Sequence, residues 1–206
     1  MARKNKRLSK EEKMEVEEWI YQNNTEETRM TDTMTITVKC KTENQKTLVN
    51  AIKGKEIIIC SGPAGSGKTF LACAEALRLI KRNSKFKKII IVKSVTTLKN
   101  EEIGFLKGNL REKMEPFMFS FVHNFEKIVG QSITSRLREL KTIEEMPIAY
   151  MRGINLDRSI IIIDEAQNIS QDNIRTIMTR LGKDSKMIFL GDERQQDSKG
   201  GNGLTF

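Results

Sequence analysis

The chain is poor in the residues that build covalent or metal-centred frameworks. Its 206 residues include three cysteines, three prolines, one histidine and one tryptophan. Cys40, Cys60 and Cys73 sit in apolar, strand-like or helical settings, with no disulfide framework or metal-ligand spacing. A reducing, cytoplasmic setting is therefore expected. His123 stands alone, which excludes a histidine-based metal site, and it reads as a surface or groove residue of its helix. No run is long and apolar enough to span a bilayer, and no apolar signal core follows the basic start. No membrane partner is expected. Charge is what the chain has in quantity: 36 Lys and Arg against 27 Asp and Glu, a formal +9. That excess fits a polyanionic partner, RNA or single-stranded DNA, or simply a well-solvated lysine-rich surface. Basic clusters stand at Arg3, Lys4, Lys6 and Arg7, and at Lys81, Arg82, Lys85, Lys87 and Lys88.

Residues 1–30 are polar and charged and read as an extension. Ser9 with Glu12 forms a capping box for a helix over Lys10 to Gln22, whose thin apolar face includes Trp19. Residues 31–206 read as one domain. Thr31 to Lys39 alternates threonine with Met34, Ile36 and Val38, a strand pattern, and Asn44 to Ile52 reads as a helix. Four apolar runs read as buried parallel strands: Ile57 to Cys60, Lys88 to Val92, Ser159 to Ile163 in the centre, and Lys186 to Leu190. Between them, Phe70 to Ile80, Phe117 to Val129 (with Pro116 in its first turn), Ser132 to Lys141 and Ser170 to Leu181 read as helices. The phenylalanine stripe Phe117, Phe121 and Phe125 reads as core rather than as a base-stacking face. Pro147 to Tyr150 reads as a short extended piece, and Lys199 to Gly203 as a flexible loop. Alternation of strands and helices gives an α/β fold, a parallel sheet with helices on both faces.

Between the first strand and its helix stands Gly62-Pro63-Ala64-Gly65-Ser66-Gly67-Lys68-Thr69, a gapless G-x-x-x-x-G-K-[ST], followed by Phe70. Glycines let successive backbone N–H groups converge on phosphate oxygens, and the helix start adds positive charge at the same spot. Lys68 is expected to reach the β- and γ-phosphates, and the Thr69 hydroxyl to ligate Mg²⁺. Asp164 and Glu165 end the central strand, where ligands bind in parallel sheets. An aspartate there holds Mg²⁺, and the adjacent glutamate orients or deprotonates a water. That pair favours nucleotide hydrolysis over phosphoryl transfer to another acceptor. Gly191-Asp192-Glu193-Arg194-Gln195 ends the fourth strand, placing Gln195 for the γ-phosphate or the attacking water.

The order GPAGSGKT, IIIIDEAQN, GDERQ resembles the first motor domain of superfamily 1 helicases, and more closely the PhoH-like ATPases. Ile103 to Leu110 with Glu112 to Pro116 is similar to that family's GFLPGDL and EK..P blocks; Pro147 to Gly153 and Met178 to Gly182 resemble its PLAYMRG and TRLG blocks. The resemblance runs from about Thr42 to Leu204. It implies a RecA-like, three-layer P-loop NTPase fold, ATP with Mg²⁺, and Gln45 as reader of adenine. It also implies an arginine that neutralises transition-state charge, often from a neighbouring subunit in a homo-oligomeric ring. Arg180 is the preferred candidate, ahead of Arg152 and Arg194. The chain departs from the pattern at Lys93-Ser94, where the family has an arginine-proline pair, and ends before the family's further helix and strand.

The expectation is a Mg²⁺-dependent ATPase, coupled to RNA or single-stranded DNA. Its catalytic residues would be Lys68, Glu165, Gln195 and Arg180, with nucleotide held by Gln45 and Gly62 to Phe70, and metal by Thr69 and Asp164. The alternatives are a nucleotide-dependent nucleic-acid switch with little turnover, or a P-loop kinase.

Overall fold

The computed structural model describes residues 31–93, 110–151, 153–195 and 204. Its centre is a five-stranded sheet. The strands are β1 (Ile57–Ser61), β2 (Lys88–Lys93), β3 (Ile143–Glu145), β4 (Ser159–Asp164) and β5 (Lys186–Gly191), in the order β1-β5-β4-β2-β3. Every pairing is parallel. Isoleucine and other β-branched or apolar residues suit strands buried on both faces, and β4 and β5 are buried at every position but Asp164.

Helices α1 (Glu43–Gly54), α2 (Lys68–Arg82), α3 (Leu110–Val129) and α4 (Gln131–Glu139) join Ile58, Ile89, Ile91, Ile160, Ile162 and Ile188 in one core. On the opposite face, α5 (Gln171–Met178) and the turns around it pack on Ile90, Val92, Ile161, Ile163, Met187 and Phe189. These are the three layers of a P-loop NTPase fold. The phenylalanine stripe is core where its side chains are described: Phe121 and Phe125 are each 1% exposed. His123 is exposed and stacks on the exposed Phe119. Thr42 and Ser170 cap α1 and α5 through their hydroxyls, accepting from Gln45 N and Asn173 N.

Three sequence expectations need correction, and one strand went unread. Thr31 to Lys39 forms no strand; it is a helical turn and then irregular backbone. Its alternating burial survives, with Met34 buried and Ile36 and Val38 packed on the core. The missing ladder is replaced by cations of α2. Lys81 donates to the Asp32 and Met34 carbonyls at 2.9 and 2.7 Å, and Arg78 donates to those of Ile36 and Val38. Pro147 to Tyr150 is no extended piece but leads into a 3₁₀ turn, Ile148–Met151, closed by Tyr150 N donating to Pro147 O. Pro116 is the seventh residue of α3, outside the first turn, because the helix begins at Leu110. A fifth strand, β3, was not legible: three residues with a single apolar side chain carry no periodicity. The helix expected over Lys10 to Gln22, the glycine-bearing loop after β2 and the tail at Lys199 to Gly203 lie outside the described residues.

Arg78 also pairs with Glu75, whose side chain is 1% exposed. Replacing Arg78 by Ala leaves that carboxylate and two carbonyls without their donor. Arg78→Ala is expected to destabilise the protein by about 3 kcal/mol in denaturant unfolding.

Candidate functional site

The glycine loop joins β1 to α2 at the carboxyl edge of the sheet. Gly65 and Gly67 take φ of 73° and 85°, backbone that a side chain strains. A Cβ on Gly67 would also stand 3.3 Å from Gln45 Nε2. The loop is tied to its neighbours by backbone: Gly62 N donates to Gly191 O at 3.1 Å, and Ala64 N to Asp192 Oδ2 at 3.2 Å. Lys68 Nζ donates to the Gly62 carbonyl at 2.6 Å, to that of Pro63 at 2.9 Å, and to Ser66 Oγ at 3.4 Å. The ammonium thus crosses the mouth of its own loop.

β5 lies between β1 and β4, so the end of β4 faces the start of α2 across one strand. Thr69 Oγ1 lies 3.3 Å from both carboxylate oxygens of Asp164. Glu165 then turns the chain out of β4 in left-handed backbone at φ 54°, a conformation a non-glycine residue holds only under constraint. The constraint comes from Gln167, which is fully buried. Its Nε2 donates to Glu165 Oε2 at 2.7 Å and to Gln195 O at 3.2 Å, and its Oε1 accepts from Asp192 N at 3.1 Å. One amide therefore fixes the Glu165 carboxylate and the loop after β5 together. Asp192, also buried, braces that loop through Arg194 N and, with its other oxygen, the glycine loop.

These residues border a cavity of about 660 Å³ that includes Lys68, Thr69, Phe70, Asp164, Glu165 and Gln195. α3 adds Asn124 and Lys127 to its wall. The buried Phe121, Phe125 and Ile128 fix the rotation of α3 and so turn those two toward the cavity. Lys127 makes no ion pair or hydrogen bond among the described residues. A second cavity, of about 540 Å³, lies on the other side of the loop against Thr42, Gln45, Leu48, Cys60 and Pro63. Gln45 braces α1 to the loop there: Nε2 donates to Ser66 O at 2.9 Å, and Oε1 accepts from Lys41 N at 2.6 Å. Burial pushes the Cys60 thiol up, with Lys68 pulling it back in part, so Cys60 contributes a neutral wall.

The structure thus brings together Gly62 to Phe70, Asp164, Glu165 and Gln195, with Gln45 on the adjoining side. It does not bring Arg180 there. Arg180 lies just past α5, its guanidinium donating to Thr179 Oγ1, in a small recess with Ile148 and Met151. Arg152 is outside the described residues. Sequence reasoning missed Gln167, Asn124 and Lys127. Gln167 stands in the quoted IIIIDEAQN motif and was legible there; Asn124 and Lys127 carry no local signal.

The family described as PhoH-like protein matches residues 37–205. The chain belongs to the PhoH-like family. A PhoH-like protein of Bacillus subtilis is 40% identical over 160 residues, 78% of this chain and 50% of that protein. One from Mycobacterium tuberculosis is 36% identical over 165 residues, 80% of this chain and 46% of its own, and Escherichia coli Protein PhoH is 32% identical over 162 residues, 78% and 45%. The chain spans about half the length of these curated relatives. Among solved structures, a large terminase from a thermophilic bacteriophage matches 74% of this chain and 39% of its own at 14% identity and a TM-score of 0.41, too loose a likeness to bear on function. Among the described residues, no helix is long and apolar enough to cross a membrane.

A Cβ at Gly191 would stand 2.4 Å from Gln167 Oε1 and 2.6 Å from Leu204 Cδ1. Gly191→Ala must therefore displace the amide that ties the two loops. It is expected to cost about 2 kcal/mol in thermal or denaturant unfolding.

Proposed function

We propose that this PhoH-like chain binds and hydrolyses ATP, and that hydrolysis is coupled to a nucleic-acid strand. The observation that carries the reading is the Glu165 carboxylate, held by Gln167 on the wall of the cavity that the Lys68 loop borders. ATP would lie along the loop, its phosphates in the larger cavity and its base in the smaller one. Gln45 keeps one amide N–H and one carbonyl lone pair beyond its two bonds, enough to read an adenine edge. A phosphate entering the loop competes with the Gly62 and Pro63 carbonyls for the Lys68 protons, so nucleotide binding would draw Lys68 out of the loop.

Thr69 and Asp164 fit a Mg²⁺ ion: a hydroxyl and a carboxylate, both hard oxygen donors, 3.3 Å apart. No cluster of three or more His, Cys, Asp or Glu stands among the described residues, which agrees with an ion that takes most of its ligands from phosphates and water. When bound, the ion would supply neutralisation of phosphate charge. The chain's own residues do the rest. Glu165 takes a proton from water as its oxygen bonds to the γ-phosphorus and the bridging P–O bond breaks. Gln195 orients that water or holds the γ-phosphate. Lys68 and Lys127 face the charge that develops on the departing ADP and phosphate. Arg180 would serve only in a neighbouring subunit's site, which makes a homo-oligomer, a ring in the simplest case, part of the reading.

Two variants test it. Glu165→Gln is expected to bind ATP normally while phosphate release falls about a hundredfold to ten-thousandfold. Gln167→Leu keeps the side chain's bulk but frees Glu165; turnover should fall by about tenfold or more, with nucleotide affinity nearly unchanged. Normal turnover in Glu165→Gln would refute the mechanism, and phosphate passing to an added acceptor instead of water would favour a kinase.

A further inference from the structure

The chain's positive charge is not spread evenly. Residues 31–93 hold thirteen Lys and Arg against four Asp and Glu, a surplus equal to the +9 of the whole chain. Much of that surplus collects at the amino edge of the sheet, opposite the glycine loop. Every strand is entered there through a cation. In sheet order these are Lys55 before β1, Lys183 ahead of β5, Arg158 before β4, Lys87 before β2, and Lys141 ahead of β3. Hydrogen bonds hold the entries side by side: Lys87 N donates to Arg158 O at 2.7 Å, and Arg158 N to Lys183 O at 2.8 Å. Lys186, the first residue of β5, donates its ammonium to Lys55 O. Across five strands the row spans roughly 19 Å.

The carboxylates of this edge offset it only in part: Glu56 stands exposed beside Lys55 and attracts Lys186. Asp184 pairs with Lys85 at 3.2 Å, Glu144 with Lys88 at 3.1 Å, and Asp157 accepts from Lys183 N at 2.8 Å. Lys53, Lys55, Arg82, Lys87, Lys141 and Lys183 are all exposed, and their side chains have no partner among the described residues. Lys53 and Arg82 have an internal use, offsetting the negative carboxyl ends of α1 and α2. Lys55, the C-cap of α1, and Lys141, next after the C-cap of α4, share that use in part, whereas Lys87 and Lys183 stand at no helix end and are not explained by it. Lys141 and Arg158 moreover take left-handed backbone, φ 57° and 51°, where glycine would sit without strain. A cation stands at each instead.

We propose that this amino edge is a docking face for the phosphodiester backbone of a single nucleic-acid strand, on the far side of the sheet from the nucleotide. The proposal rests on the reading that the protein works on nucleic acid, and adds where the strand lies. Among the described residues, the exposed large aromatics, Phe119 and Tyr150, belong to other elements, and Phe86 beside this edge is buried. Recognition here is therefore by charge, without base stacking, indifferent to sequence and steeply dependent on salt.

The test uses the full chain carrying Lys55→Gln, Lys87→Gln, Lys141→Gly and Lys183→Gln together. None of these residues borders the nucleotide cavities, and glycine suits the backbone at position 141. Binding of labelled uridine and thymidine homo-oligonucleotides is measured across a salt series, beside ATP binding and thermal unfolding. The expected result is affinity lower by roughly tenfold or more, with the slope of log affinity against log salt shallower by about 3. ATP affinity and melting should be unchanged. Unaltered oligonucleotide affinity and slope in the variant would overturn the location while leaving nucleic-acid coupling intact. If the native chain binds neither oligonucleotide, or binds only phosphatidylserine vesicles, both the location and the coupling are wrong. If the quadruple variant is unfolded, the single Lys141→Gly variant decides by the same criteria, with an expected slope change of about 0.7.

Discussion

All five strands run the same way, and that constraint organises the molecule. A parallel sheet has two unlike edges. Its carboxyl ends gather the turns that can hold a ligand, and its amino ends gather the entries from the helices. Here the first edge carries the glycine loop, Asp164, Glu165 and Gln195, while the second carries a row of lysine and arginine. A six-residue strand separates them by roughly 20 Å. That is well beyond the Debye length at physiological salt, so charge through solvent does little between them. Communication would have to pass through the strands and the helices packed on them.

At the ligand edge the structure relies on one buried amide. Gln167 holds Glu165 and bonds the loop after β5 at two backbone atoms, accepting from Asp192 N and donating to Gln195 O; Asp192 carries the connection on to the glycine loop. Three loops from three strands are thereby joined into one unit. Movement of Lys68, drawn toward a phosphate, would be felt at Gly62 and so at Gly191, its backbone partner. The left-handed turn at Glu165 fits this picture: strain is retained where neighbouring contacts over-determine the backbone.

Much of this was legible in the sequence because it rests on local rules. Buried strands read as apolar runs, the glycine loop read as a gapless motif, and Asp164 and Glu165 sat at a strand end. What was not legible depends on tertiary partners. The segment at Thr31 to Lys39 has a strand's alternation, but Arg78 and Lys81 take the carbonyls that a ladder would use. β3 is too short to show a period, and its place is set by pairing to β2. Asn124 and Lys127 reach the cavity only because the opposite face of α3 is buried. Arg180 stood in a family-like block, yet the fold sets it apart from the cavity of its own chain. Sequence nearness to a motif says little about which subunit's site a side chain serves.

The most direct test of the central claim is a crystal structure of the full chain with ADP, magnesium and aluminium fluoride. The account predicts Lys68 withdrawn from the Gly62 and Pro63 carbonyls onto the fluoride. It also predicts Glu165 within hydrogen-bond reach of the attacking water, still held by Gln167. A nucleotide bound with its terminal group away from Glu165, or with Lys68 still on its own loop, would contradict it.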